Sequence, residues 1–111
     1  MKTNKTYRQT IEQRHIRGVL QSIRYSLARQ QHHMHLNNID EKDELDGVCF
    51  VLHHGDIARD FKLETHWVSG GLWYCYSFRK GGDWCLLEKC YDFVQGIKTV
   101  MRYMRKLSTT R

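Results

Sequence analysis

Apolar side chains recur along the first third of the chain at Ile16, Leu20, Ile23, Leu27 and Met34, a four-three-four step in which Gln30 holds the missing place. That spacing lines one stripe of a helix, and residues 4–31 are predicted to form one long amphipathic helix. Thr6 followed by Gln9 offers a capping box at its start, and Gly18 marks where it would kink or divide in two. Residues 37–46 are polar and rich in turn formers, and read as a solvated loop. The apolar run over 48–53 then reads as a central strand buried on both faces. Past the turn at His54, Gly55 and Asp56, the residues Phe61, Leu63, Thr65 and Trp67 alternate with Lys62, Glu64 and His66, the period of a half-buried strand. In the next strand Leu72, Tyr74, Tyr76 and Phe78 share one side, and the turn around Gly81 and Gly82 returns the chain as residues 84–90. Asp92 as N-cap, with Gln95 three residues on, opens a last helix whose apolar face is Phe93, Ile97, Val100, Met101, Met104 and Leu107.

Turns this short join only antiparallel neighbours. The expected fold is therefore α+β: a two-layer sandwich in α-β-β-β-β-α order, with a four-stranded antiparallel meander covered on one face by the N-terminal and C-terminal helices. At 111 residues the chain is the size of one domain, spanning 1–111. The second sheet face is expected to stay partly open.

Composition adds limits. A hydrophobic fraction of 41% supports a packed core. No apolar run approaches the ~20 residues of a membrane-spanning helix, and the basic first residues lead into a charged pattern and not a secretory leader. A cytoplasmic protein without a membrane partner is expected. The net charge of +6 is uneven: residues 37–60 carry seven acids against two Lys/Arg, while both flanking regions are basic. Such a distribution steers an anionic partner to a basic face, or is satisfied within the molecule or across a dimer.

Candidate chemistry is sparse. Cys49, Cys75, Cys85 and Cys90 show no C-x-x-C spacing and are expected as free buried thiols, with Cys85 and Cys90 on opposite faces of their strand. His32 and His35 are the only histidines at a helical i, i+3 spacing, with no carboxylate placed beside them, so no metal and no cofactor is expected. No nucleophile elbow or phosphate-cradling glycine loop is present, and an imidazole at His54 oriented by Asp56 is also ordinary turn chemistry. A non-enzyme is the expectation.

Two sets of residues suggest binding. Trp67, Trp73, Tyr74, Tyr76 and Trp84 load the sheet with more rings than two helices hide, which points to a ligand pocket or an interface with a protein or small molecule. A homodimer is the expected assembly, supported by Met34 and Leu36 extending the helical stripe past the sheet. The alternative is nucleic-acid binding through the helix faces bearing Arg14, Arg17 and Arg24, and Lys98, Arg102, Arg105 and Lys106. The order of elements is loosely similar to that of double-stranded RNA-binding domains, but their glycine-rich turn is missing and Asp92, Phe93 and Val94 stand where their lysines begin the second helix. The resemblance therefore implies no binding residue.

Overall fold

The computed structural model describes residues 10–36 and 47–109, which form α1 (Ile11–Arg29), β1 (His33–Leu36), β2 (Gly47–His54), β3 (Ile57–Val68), β4 (Gly71–Lys80), β5 (Asp83–Cys90) and α2 (Phe93–Thr109). The strands pair antiparallel in chain order, so the fold is α+β with a meander sheet. The described residues contain five strands and not four. The added strand is β1, where Met34 and Leu36 lie opposite Leu52 and Phe50 instead of prolonging the helix. α1 stops because Gln31 turns into the left-handed region at φ 70°, and the His32 amide closes back on the Leu27 carbonyl at 2.9 Å. Glycine or asparagine usually signals such an ending. Gln31 does not, and Met34 fits a helical period and a strand alternation equally well. The helical support for a dimer through Met34 and Leu36 is lost with it.

At its other end α1 opens on a capping box made by Thr10 and Gln13. Thr10 Oγ1 accepts from the Gln13 amide at 3.0 Å, and Gln13 Oε1 accepts from the Thr10 amide at 2.9 Å. The Thr6 and Gln9 pair lies outside the described residues. The helix runs through Gly18 unbroken. Thr10→Ala is expected to cost about 1 kcal/mol in urea unfolding; an unchanged midpoint would mean that the box contributes nothing.

Both helices lie on one side of the sheet. Ile16, Leu20 and Leu27 of α1 and Ile97, Val100 and Met104 of α2 share a single core with Val48, Phe50, Leu52, Phe61, Leu63 and Tyr76. β2 is sealed only on that side, since Cys49 and Val51 opposite are partly covered and His53 is exposed. In β5 the register shifts: Tyr76 faces Glu88 but Ser77 faces Leu86, so Leu87 is the extra residue of a bulge. The bulge places Cys85 opposite Phe78 and Cys90 opposite Tyr74. Both cysteines thus point to the helix-covered side, where unbroken alternation predicted opposite faces. No described helix is long and apolar enough to cross a membrane.

Candidate binding face of the sheet

On the side away from the helices, β3, β4 and β5 set Lys62 beside Ser77 and Leu86, Glu64 beside Cys75 and Lys89, His66 beside Trp73, and Arg79 beside Trp84. Each neighbourhood follows from a tight antiparallel turn, because residues opposite one another in a ladder share a face. The Gly81 and Gly82 turn is what brings Arg79 against Trp84. Lys62, Glu64, His66, Ser77, Trp84 and Lys89 border a shallow hollow of about 610 Å³, which Trp67 closes at one end, and Trp73 and Arg79 lie outside its lining.

Rings and cations alternate there. The Lys62 ammonium stands 5.2 Å from the centre of the Trp84 ring and the Arg79 guanidinium 4.7 Å from it, both within cation–π range. Lys89 stands 5.3 Å from the Trp73 ring, against which Tyr91 packs at 3.8 Å. Glu64 lies 3.7 Å from Lys62 and Asp60 3.8 Å from Arg79, so two of the three cations have a carboxylate neighbour. Lys89 is exposed and has no ion-pair partner among the described residues. The Trp73 indole nitrogen is buried without a hydrogen-bond partner among them.

The five aromatic residues singled out in the sequence fall into three places. Trp73 and Trp84 lie on the open face. Trp67, 74% exposed and next to the end of β3, lies between the hollow of that face and a second one of about 270 Å³ lined by Ile11, His15 and Leu72. Tyr74 lies on the helix side, its hydroxyl 3.0 Å from His15 Nε2, and burial with Asp92 nearby raises its pKa. Tyr76 is in the core. Its hydroxyl donates to the Phe93 carbonyl at 2.6 Å, and burial pushes the phenol far above its ordinary range. Sequence reading missed Arg79, Lys89 and Tyr91 as companions of the tryptophans. The signal for Arg79 was present in the two-glycine turn, but Tyr91 lies past the end of the ladder and carried none.

Lys98, Arg102, Arg105 and Lys106 are exposed at a helical step along one side of α2. Lys98 lines the groove between α1 and α2 with Ile23 and Met101, while Arg102 and Lys106 line another beside Leu87 and Tyr103. Arg14, Arg17 and Arg24 line neither.

Burial, with Glu88 and Asp92 close by, raises the Cys90 thiol pKa, and its sulfur donates to the Asp92 carbonyl at 3.3 Å. A thiol in that state is a poor nucleophile. All four cysteines are free, and only Cys75 is buried. His32 and His35 do not share a helix: the first follows the end of α1 and the second lies in β1. Among the described residues no three His, Cys, Asp or Glu side chains are grouped to hold a metal ion. His32 is fully buried and stacks on His54 with ring centres 4.3 Å apart.

No protein-family model matches the chain, and no curated protein or solved structure matches it.

Proposed function

We propose that the protein is a non-enzymatic binding module that takes an anionic partner on the helix-free face of its sheet. The observation that carries this reading is that the Lys62 and Arg79 cations both lie over the Trp84 ring, with Lys89 over Trp73 in the next cluster. Cations resting on rings are partly stripped of water, so an approaching anion meets them at reduced desolvation cost. The pattern favours an anion over a second copy of the chain. A homodimer through this face would press like charges together, at a cost of several kcal/mol. Exposed Leu86 and Tyr91 on the same face support the dimer as a second reading, because they leave apolar area uncovered.

Salt-dependent retention on a heparin column tests the proposal, with two variants that each remove two positive charges. Arg79→Gln with Lys89→Gln is expected to lower affinity about tenfold or more, and Lys98→Gln with Arg102→Gln less than twofold. Greater loss in the helix pair would overturn the reading in favour of the helix faces. A dimer that sedimentation shows tightening as salt rises, with no retention on heparin, would replace it by self-association.

A further inference from the structure

The anion-binding face has an outer layer that the proposed function leaves unexplained. Its two indoles are not the surfaces a partner meets first. Trp84 lies beneath the Arg79 guanidinium, whose side chain is 46% exposed, and Trp73 packs against the Tyr91 ring, which is 59% exposed. Over the indoles, what faces solvent is one flat guanidinium and one flat phenol, beside exposed Leu86 and Lys89.

Each plate has a neighbour that restricts it. A Cβ on Gly71 would come within 2.7 Å of the Tyr91 ring, so the strand keeps a glycine where that ring lies against its backbone. Asp60 stands 3.8 Å from Arg79 Nε, a half-exposed ion pair beside the guanidinium that rests over Trp84. A plate already restricted loses less side-chain entropy when a second ring stacks on it. Trp73 and Arg79 lie six residues apart on β4, so the two plates are about 20 Å from each other along the strand. Between them are exposed Lys89 and Leu86, the Ser77 hydroxyl, and the buried Lys62 paired with Glu64.

We infer that the partner is single-stranded nucleic acid, its bases stacking on Tyr91 and Arg79 while its phosphates run past Lys89. This rests on the anion-binding reading and narrows it. A simple polyanion would use the cations and ignore the plates. A duplex hides its base faces, whereas a single strand offers a flat ring and a negative charge at each step, and aromatic rings and arginine planes are the surfaces on which unpaired bases stack. Arginine and lysine differ here, since only the guanidinium is planar.

Charge-conserving variants separate the two readings. Binding of a fluorescein-labelled oligothymidylate of about 15 nucleotides is followed by anisotropy, with dextran sulfate and a duplex of the same length as competitors. Tyr91→Leu and Arg79→Lys, which leave the net charge unchanged, are each expected to weaken oligothymidylate binding about fivefold or more. Competition by dextran sulfate on the heparin column stays the same in both variants. Equal affinity for oligothymidylate in wild type and variants, or tighter binding of duplex, overturns the nucleic-acid inference and leaves the anion-binding face standing. Failure of wild type to bind either oligothymidylate or dextran sulfate overturns both. Self-association lost in Tyr91→Leu, without oligothymidylate binding, assigns the plates to a second copy instead.

Discussion

Gly96→Ala is expected to destabilise the protein by about 3 kcal/mol, although Ala in a helix is intrinsically better than Gly by about 1 kcal/mol. Gly96 lies in the first turns of α2, and a methyl group there would collide with Cε1 and Cζ of Tyr76. The ring has no room to retreat. Tyr76 is fully buried, with Phe93 beside it at 6.4 Å between ring centres, and its hydroxyl is tied to the Phe93 carbonyl. Relieving the collision means shifting α2 off the sheet or breaking that hydrogen bond, and a buried phenol without a partner costs about 1–3 kcal/mol by itself. Steric conflict therefore outweighs helix propensity. Urea unfolding measures it, and the double variant with Tyr76→Leu isolates the cause: with the ring removed, the same Gly96→Ala change is expected to cost nothing. Stabilisation by Gly96→Ala in the wild-type background would mean that α2 does not sit this close to β4.

The same contact shows how far the fold was legible. The apolar faces of α2 and of β4 were readable because Ile97, Val100, Met101 and Met104 keep a helical step and Leu72, Tyr74, Tyr76 and Phe78 keep a strict alternation. That Tyr76 belongs to the core and not to a binding surface was not readable, since the space for its ring is made by a glycine twenty positions away. β1 escaped because Met34 satisfies two periods at once, and the choice was made by a left-handed Gln31 without a residue signal. Leu87 escaped for a related reason: pattern reading assumes an unbroken ladder, and a bulge reverses the facing of everything beyond it. The candidate site divided along the same line. Arg79 opposite Trp84 follows from turn length, whereas Tyr91 over Trp73 depends on how the chain leaves β5 toward α2.

Acid is expected to weaken the fold through His32, and the effect should be lost when that one ring is replaced. His32 is fully buried, and neither ring nitrogen finds a hydrogen-bond partner among the described residues. Stacked on it is His54, whose Nδ1 donates to the Gln31 carbonyl at 3.1 Å; Arg105 of α2 and neighbouring His33 add positive charge nearby. Burial first, and these charges after it, lower its pKa from 6.5 to about 4. The folded chain therefore resists a proton that the unfolded chain takes readily. Above pH 6.5 both states hold the ring neutral and stability is complete. As pH falls from 6.5 toward 4 the unfolded state alone gains the proton, and stability declines across that window before levelling off. A span of about 2.5 pH units at 1.36 kcal/mol each sets the upper bound on the loss at about 3–4 kcal/mol. Urea unfolding at pH 7.0 and at about pH 4.5 measures the difference, and His32→Phe, which keeps a flat ring against His54 but cannot be protonated, is expected to remove most of it. An acid loss of the same size in His32→Phe would assign the titration to another group and leave the buried imidazole a passive part of the junction between α1 and β1.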